Sequence, residues 1–526
     1  MKTGFRWSLI NLPLLAAALL GAAGGAHATG YGWKYVTGYG AGNVPIWSPD
    51  YPSIMAACMA YLPQGQVIVT GLRQPVTYVK TGVSSAECRG VFPPWYPNGG
   101  FAFLEIIRDG GSCPDGQIYN SALGNCEDPG SLVPRKMEGF PDDSMTCNAP
   151  SNAQGNPVNA ATGNKFQLEE DYAPLKAGAV SFTRYYNGVD GLWRSNYSTG
   201  LTFPDSSTVY LTKNDGRASQ FKLSGTSYVA ETTELGRLSS AGQVWTYVDS
   251  ENSTYTFDAQ GRLTGIRFPS GLAQSLVYGI TSVTVTDAFG GQLIFAVGPA
   301  NQPASFSSAG LVVSYAYTDL NGFRLLTGAT YSQGAKQWSR QYLYEDTAYP
   351  AALTGITDER GVRYATWHYD AQGRAISSEH ANGAEKVTLT YNDDGSTTVT
   401  NALGHAVTYR YQVIQGIKHI TSIEGEPAAG CPASNSSYTY NTIGQVATKT
   451  DALGHITAYT YDTLGRETQR VEAQGTAQAR TTTTTWHGTS FLPETVTTAD
   501  RVTTYTYDTQ NRLLSTSTHA TQGSVP

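Results

Sequence analysis

Residues that could do acid–base or metal chemistry recur at fixed places in this sequence. Two histidines, His405 and His455, each follow Ala-Leu-Gly, and two imidazoles could share a metal ion. The segment Asn392-Asp-Asp-Gly395 has the acidic residues of a calcium-binding loop. Paired carboxylates are the usual acid and base of glycoside hydrolysis. Four aspartates that directly follow an aromatic residue are candidates for that role: Asp258, Asp370, Asp462 and Asp508.

Repetition favours a structural role for all three groups. A residue that recurs in every unit of a repeat is expected to form turns, and asparagine replaces aspartate at Asn392 and Asn441, where an amide could cap a turn but could not act as an acid or base. The calcium-like segment lacks the rest of an EF-hand loop. The sequence also lacks G-x-S-x-G, H-E-x-x-H, a Walker loop and a dinucleotide fingerprint. We therefore predict a protein that is not an enzyme and has no cofactor and no metal site.

An internal repeat organises the second half of the chain. Four good copies are Phe257-Asp-Ala-Gln-Gly-Arg262, Tyr369-Asp-Ala-Gln-Gly-Arg374, Tyr461-Asp-Thr-Leu-Gly-Arg466 and Tyr507-Asp-Thr-Gln-Asn-Arg512. Weaker copies begin at Tyr391 and Tyr440, and a degenerate copy is expected near Trp486. A second element, such as Thr450-Asp-Ala-Leu-Gly-His455, lies between copies. From Tyr369 to Tyr391 is 22 residues, and from Tyr440 to Tyr461 is 21.

Each position of the unit has a physical role in a β-hairpin. Alternating residues place the tyrosines on one face of a sheet, Asp or Asn caps the turn, and Gly supplies a positive φ. Arg begins the next strand and is expected to pair with the Asp of a neighbouring unit. The residues predicted to be structural in this way are Phe257, Asp258, Gly261, Arg262, Tyr369, Asp370, Gly373, Arg374, Tyr461, Asp462, Gly465, Arg466, Tyr507, Asp508 and Arg512.

Composition agrees with an exported, all-β repeat protein of several domains. The chain has 526 residues, of which 14% are charged and 11% aromatic, with 57 glycines and 34 tyrosines. The net charge of −7 argues against a nucleic-acid binder that relies on a basic field. Single hairpins cannot bury their own faces, so the repeats are expected to form one long antiparallel sheet.

The first 28 residues are predicted to be a secretory signal peptide. Lys2 and Arg6 precede an apolar run over residues 9–20, and Ala26-His-Ala28 is a small-x-small cleavage site, so cleavage is expected after Ala28. An uncleaved membrane anchor is the alternative. We expect a periplasmic, cell-surface or extracellular protein without a transmembrane span in the mature chain.

Five of the six cysteines lie before residue 150, in a segment rich in proline and aromatic residues. Export would allow them to oxidise. The local pairings predicted are Cys113 with Cys126 and Cys58 with Cys88, which leaves Cys147 and Cys431. The predicted domains are thus a signal peptide (1–28), a small disulfide-stapled, loop-rich N-terminal domain with its linker (29–150), a β-rich domain (151–245) and the repeats (246–526).

The Tyr-Asp-x-x-Gly-Arg unit resembles the YD repeats of the RHS (rearrangement hotspot) family. Upstream, Asn156-Pro-Val-Asn159 and Ser181-Phe-Thr-Arg-Tyr-Tyr-Asn187 resemble the domain that commonly opens RHS proteins. The resemblance implies a β-sheet spiral that forms all or part of a shell. In toxins of this family the shell holds a C-terminal toxin domain, which an aspartate-dependent cleavage in an Asp-Pro-containing core segment releases. No such segment follows the repeats here, so we expect the toxin and the cleavage core to be absent.

Two functions from different classes remain open. The first is a secreted or surface RHS scaffold that encapsulates or presents a C-terminal toxin or effector, which a downstream-encoded remainder of the shell would complete. The second is a cell-surface binding module for glycans or partner proteins, with Trp245, Trp367 and Trp486 as candidate sugar-stacking residues. An open sheet edge near residues 503–507 is expected to make the chain self-associate.

Overall fold

Alternating threonine, tyrosine and valine residues between Asx-Gly turns form β-strands through nearly all of the described chain. The computed structural model describes residues 136–141, 149–203, 206–298, 301–320, 323–425 and 435–521, together with the backbone of eight strands between residues 32 and 127. Two compact units divide the chain, Met1–Leu132 and Val133–Pro526. No helix among the described residues is long and apolar enough to cross a membrane.

The described part of the first unit consists of eight antiparallel strands. They are β1 (Gly32–Lys34), β2 (Val36–Tyr39), β3 (Pro45–Trp47), β4 (Arg73–Lys80), β5 (Ser85–Val91), β6 (Phe101–Asp109), β7 (Ile118–Asn120) and β8 (Asn125–Glu127). One four-stranded sheet has the order β1-β6-β5-β4, and β2-β3 and β7-β8 form separate pairs. The predicted disulfides and the predicted cleavage site at Ala28 lie outside the described residues and stay predictions.

Three small sheets open the second unit. Their strands are β9 (Ala153–Gln154), β10 (Val158–Asn159), β11 (Phe166–Tyr172), β12 (Phe182–Asn187), β13 (Trp193–Ser195), β14 (Gly200–Thr202), β15 (Thr208–Thr212), β16 (Ala218–Ser224) and β17 (Ser227–Ala230). The sheets have the orders β10-β9, β11-β12-β13 and β14-β15-β16-β17.

One antiparallel sheet of 26 strands makes up the rest of the second unit. Its first half contains β18 (Arg237–Ala241), β19 (Val244–Val248), β20 (Thr254–Phe257), β21 (Leu263–Arg267), β22 (Ala273–Tyr278), β23 (Val283–Asp287), β24 (Gln292–Val297), β25 (Pro303–Ser308), β26 (Leu311–Leu320), β27 (Phe323–Gln333), β28 (Lys336–Leu343), β29 (Gly355–Thr357) and β30 (Arg363–Tyr369).

The second half of this sheet begins after β30. It contains β31 (Ala375–His380), β32 (Val387–Tyr391), β33 (Thr397–Thr400), β34 (Ala406–Ile414), β35 (Ile417–Gly425), β36 (Ser436–Tyr440), β37 (Val446–Thr450), β38 (Ile456–Tyr461), β39 (Glu467–Glu472), β40 (Arg480–Trp486), β41 (Pro493–Thr497), β42 (Arg501–Tyr507) and β43 (Leu513–Ala520). A 3₁₀ turn, Ala381–Gly383, follows β31.

Every strand of the long sheet pairs with the next strand of the sequence, so the predicted all-β fold with a long antiparallel repeat sheet is confirmed. Because consecutive strands run in opposite directions, their connections alternate between the two ends of the strands. We call the end with connections after even-numbered strands the Tyr-Asp rim, since it carries the turns 258–262, 370–374, 462–466 and 508–512. The other end, with turns such as 287–291, 401–405 and 451–455, is the opposite rim.

The sheet coils until its last strands meet its first. The backbone amide of Phe491 donates to Asn252 Oδ1 at 2.9 Å, although the two residues are 239 positions apart. Arg267 Nη2 donates to Gln510 Oε1 at 3.2 Å across 243 positions. One turn of the spiral therefore takes about 240 residues, and the Tyr-Asp rim of the last strands lies on the opposite rim of the first.

Residues 149–203 pack on the inner face of this coil and supply much of its core. The Phe182 ring stacks on Phe306 with centroids 4.5 Å apart, and Trp193 meets Tyr342 at 4.8 Å. The main apolar cluster runs from Val158 to Val399. Burial declines towards the end of the sheet, and all eight residues of β43 are exposed.

The structure corrects the expected position of the open sheet edge. Residues 503–507 belong to β42, which pairs along its length with β43 from Arg501–Ala520 to Tyr507–Leu513. Among the described residues, β43 pairs only with β42. The edge strand is therefore β43, one strand later than the sequence predicted.

Candidate functional site

The predicted repeat residues form one turn geometry. In the first copy, Asp258 Oδ1 accepts hydrogen bonds from the amides of Gln260 (3.0 Å) and Arg262 (2.9 Å). The Asp258 amide donates to the Arg262 carbonyl at 3.0 Å. Gly261 takes a φ of +80°, a region that favours glycine. The carboxylate thus satisfies two amides that a five-residue loop would otherwise leave open.

The same turn forms at the other three copies. Asp370, Asp462 and Asp508 each accept the amides two and four residues later at 2.8–3.0 Å. In the fourth copy Asn511 replaces glycine and adopts a φ of 62°, which asparagine tolerates better than most residues.

Each arginine of the motif pairs with the aspartate of its own unit, not with that of a neighbour as expected. Arg262 Nε lies 2.7 Å from Asp258 Oδ2, and Arg374, Arg466 and Arg512 make the same contact at 2.8, 2.7 and 2.6 Å. Antiparallel pairing brings residues i and i+4 together across the five-residue loop. The neighbouring unit's aspartate lies on another hairpin.

Hydrogen bonds lower the pKa of these aspartates. Burial, the largest single influence on Asp462, raises its pKa, but the side-chain and backbone hydrogen bonds from Arg466 together outweigh burial. The pKa values of Asp258 and Asp370 are lowered in the same way. In Asp508 the backbone hydrogen bond from Arg512 is the largest cause of the lowered pKa. Lowered pKa values suit a charged turn cap and oppose a role as proton donor.

The motif's aromatic residue ties its own hairpin to the preceding one. Tyr369, Tyr461 and Tyr507 donate their hydroxyls to the carbonyls of Leu353, Val446 and Pro493 at 2.6, 2.8 and 2.7 Å. Phe257 has no hydroxyl and is fully buried. Each link spans 14–16 residues, so it joins consecutive hairpins. The repeat spacing predicts an aromatic residue at this position. It does not predict the hydrogen-bond partner, because the acceptor is a backbone carbonyl.

A second link joins the arginine to the next aromatic residue. The Arg374 guanidinium lies 4.1 Å from the Tyr391 ring centroid, and Arg262 lies 4.6 Å from that of Tyr278. Trp486 occupies the same place in the degenerate copy, because its indole Nε1 donates to the Glu467 carbonyl at 3.0 Å and its ring lies 5.7 Å from Arg466.

The turns of the opposite rim use the same cap without an arginine four residues later, although Arg360 pairs with Asp358 from inside its turn. Asp287, Asp358, Asn401 and Asp451 accept the amides two and four residues later. His455 Nδ1 lies 3.0 Å from Asp451 Oδ2, which places this histidine in its own turn. Within the described residues, no group of three or more His, Cys, Asp or Glu side chains could hold a metal ion.

Of the candidate sugar-stacking tryptophans, Trp367 is buried, and Trp245 and Trp486 are half-buried. Trp367 is 1% exposed, and its indole donates to the Asn156 carbonyl at 3.0 Å. Trp245 lies between Phe203 and Tyr228, with ring centroids 5.0 and 4.9 Å away. Arg466 lies 5.7 Å from the Trp486 ring, so each of the three rings has a packing partner within the protein.

A buried ionic network, which the sequence did not reveal, holds residues 149–203 to the long sheet. Arg184 Nη2 donates to Asp171 Oδ1 at 2.9 Å and to the Tyr342 hydroxyl at 2.6 Å. The Tyr315 and Tyr331 hydroxyls both donate to Asp171. Burial alone would lower the pKa of Arg184, but the Asp171 carboxylate raises it, so the guanidinium stays charged.

Lys165 is also fully buried. Lys165 Nζ donates to the Asn156 carbonyl at 2.5 Å, to Gln167 Oε1 at 2.8 Å and to the Phe166 carbonyl, and it lies 4.1 Å above the Trp367 ring. Burial lowers the pKa of Lys165, and the Glu169 carboxylate raises it in part. Three acceptors match the three N–H groups of an ammonium.

Two family models match segments of the chain, one in the small sheets of the second unit and one in the long sheet. Residues 155–221 match the model of DUF6531, a domain of unknown function, and residues 440–477 match the RHS repeat. No curated protein matches the chain.

Two solved structures illustrate the similarity to larger proteins. A crystal structure of TcdB2-TccC3 without its hypervariable C-terminal region is 12% identical, with a TM-score of 0.37 over 66% of this chain and 22% of that chain. A Photorhabdus luminescens Tc holotoxin pore is 13% identical, with a TM-score of 0.33 over 65% and 19%. The chain thus spans about a fifth of the length of these proteins. The chain thus contains a segment that matches the RHS repeat, with a segment that matches DUF6531 ahead of it.

Proposed function

We propose that this chain is a structural scaffold, one coil of an RHS shell, that encapsulates or presents a C-terminal effector. One observation carries the proposal: a 26-stranded sheet completes a turn and rests on its own first strands, with residues 149–203 packed on its inner face. Such a coil gives a rigid wall with an inside and an outside. The repeat residues serve the wall and not catalysis, because their polar atoms are used in turn caps and links between hairpins.

The effector is the part of the proposal that rests on resemblance to RHS toxins. The test is to read the DNA downstream of the Pro526 codon in the source strain. Further Tyr-Asp units and a variable C-terminal region would support the proposal. Unrelated sequence after a stop codon would leave the coil without an effector and would contradict it.

A protein-level test follows if the reading frame continues. We expect the C-terminal region to resist trypsin in the complete protein and to be digested when the same region is expressed alone. Equal digestion in both samples would mean that the coil does not shield it.

Export is a second part of the proposal. The signal-like residues 1–28 lead us to expect a mature protein that begins at Thr29 in the periplasm or outside the cell. N-terminal sequencing of the exported protein tests this, with Ala28→Arg as a variant that should block processing. A mature chain that still begins at Met1 would contradict it.

A further inference from the structure

Three polar side chains at the start of β11 form a chain of hydrogen bonds. Lys165 directly precedes the strand and alternates with Gln167 and Glu169, so all three lie on one face. Lys165 Nζ donates to Gln167 Oε1 at 2.8 Å, and Gln167 Nε2 donates to Glu169 Oε1 at 2.8 Å. The carboxamide of the half-buried Gln167 is therefore held between an amine and a carboxylate.

In the part of the chain that the structure describes, Lys165 is a fully buried cation without an ion pair. Its three hydrogen bonds go to neutral carbonyl and carboxamide oxygens. A buried charge without an opposite charge is unfavourable. Burial accordingly lowers the pKa of Lys165 well below its ordinary value, although the Glu169 carboxylate opposes this in part. The neutral amine, which is the nucleophilic form of lysine, is thus more accessible here than in water.

The amine lies close to the carboxamide carbon. A C=O bond is about 1.23 Å long, so Lys165 Nζ lies no more than about 4 Å from Gln167 Cδ. Productive attack needs the two atoms about 3–3.5 Å apart, which a small rotation of the lysine side chain supplies. The buried Trp367 ring, 4.1 Å from Nζ, shields the amine from water that would compete for the carbon.

Glu169 lies beside the nitrogen that would leave. It is 4% exposed, and its Oε1 accepts the hydrogen bond from Gln167 Nε2. Arg340 binds the other oxygen, Oε2, which holds the carboxylate in place and keeps Oε1 directed at the carboxamide. A carboxylate in this position can take a proton from the attacking nitrogen and give it to the leaving nitrogen.

We propose that Lys165 and Gln167 form an intramolecular isopeptide bond. Lys165 Nζ attacks Gln167 Cδ, the Cδ–Nε2 bond breaks, and Nε2 leaves as ammonia. Glu169 carries a proton from Nζ to Nε2, so an ammonium and a primary amide become a secondary amide and an ammonium ion without any further reactant. The product removes a positive charge from the interior, which favours the reaction. The bond is independent of whether the coil holds an effector.

Peptide mapping of the purified, folded chain by mass spectrometry tests the proposal. Trypsin cuts after unmodified lysine, so an unreacted chain yields peptides 137–165 and 166–176. We expect instead one peptide, 137–176, that is uncut after Lys165 and lighter by the mass of one ammonia. Its fragment spectrum should show no separation between Lys165 and Gln167.

Two variants identify the partner of the lysine. Gln167→Met removes the carboxamide and nearly keeps the side-chain volume, so it should restore the two short peptides. Gln274→Met is the matched control, because Gln274 is also buried but its carboxamide donates to the carbonyls of Gly178 and Ala179. The lighter peptide 137–176 should persist in this control. Circular dichroism confirms that each variant is folded.

Three outcomes would overturn the proposal. Peptides 137–165 and 166–176 at full mass would mean that Lys165 stays an ordinary buried ammonium. A peptide 137–176 at full mass is a missed cleavage without a bond. Loss of ammonia with normal cleavage after Lys165 would come from a cyclised asparagine and not from Gln167.

Discussion

At the level of individual residues, the burial of two acids in β11 could not be predicted from the sequence. Glu169 and Asp171 are buried, whereas Leu168, directly before them, is 43% exposed. The alternation of a strand was visible, but the usual rule that apolar residues face inward would choose the wrong face. The partners that reverse it, Arg340 and Arg184, come from other strands, and Arg340 is 171 residues from Glu169.

Removing Asp171 is expected to destabilise the protein strongly. Asp171→Ala would leave the Arg184 guanidinium charged and buried without its carboxylate, at a cost of about 3–5 kcal/mol in the free energy of unfolding. Urea denaturation measures this. Asp319→Ala breaks the exposed ion pair with Arg324 and should cost below about 1 kcal/mol. Similar losses in both variants would mean that the buried network contributes little.

The turn aspartates are expected to matter through charge only above their folded pKa. Asp462→Asn keeps the acceptor for two amides, as Asn441 does in its own unit, but it loses the ion pair with Arg466. Since the folded pKa of Asp462 is lowered, its charge stabilises the fold at neutral pH, and this contribution is lost as the pH falls through the folded value.

The variant should therefore be less stable than wild type at pH 7 by about 0.2–1 kcal/mol, and the gap should narrow in acid. Urea midpoints at pH 7 and pH 3 test this. A gap that stays constant between these two pH values would contradict an electrostatic role.

At the scale of strands and turns, the hairpins of the repeat were predictable from the sequence. The contacts that the hairpins make with one another and with residues 149–203 were not. The Asx-Gly turns and the alternation predicted the hairpins, and the degenerate copy at Trp486 follows from spacing alone. The arginine pairing was wrong, because the motif shows which residues recur but not which hairpin they face. The site where residues 149–203 meet the repeats was invisible for the same reason.

Two turn glycines distinguish the cost of backbone strain from the cost of a steric clash with a neighbouring strand. Gly261 and Gly290 have φ values of +80° and +81° in the same kind of turn, so alanine at either position should cost about 1–2 kcal/mol. A Cβ on Gly261 would also lie 2.2 Å from the Leu201 carbonyl oxygen, whereas one on Gly290 meets nothing within 4 Å. Gly261→Ala should therefore be clearly the more destabilising in urea. Equal losses would show that the contact with Leu201 can yield.

At the scale of the whole molecule, the number of residues in one turn of the coil cannot be predicted from any single repeat unit. Each hairpin specifies its neighbour, but contacts across about 240 residues depend on the summed twist of some twenty strands. The sequence predicted a spiral through family resemblance, whereas the residues that join its first and last strands are seen only in the structure. Asn252 and Phe491 lie outside the four good copies of the motif.

The contact between the first and last strands of the long sheet can be tested without adding backbone strain. Asn252 has a φ of 65°, so Asn252→Gly removes the acceptor of the Phe491 amide while relieving the backbone. We expect faster hydrogen exchange in residues 487–492, because the amide loses its partner and the rims separate more often. Asn382→Gly is the matched control, since Asn382 has a φ of 61° in the turn between β31 and β32 and its replacement should leave residues 487–492 unchanged. Unchanged exchange in Asn252→Gly would mean that other contacts between the first and last strands, such as Arg267 with Gln510, hold the coil closed without this hydrogen bond.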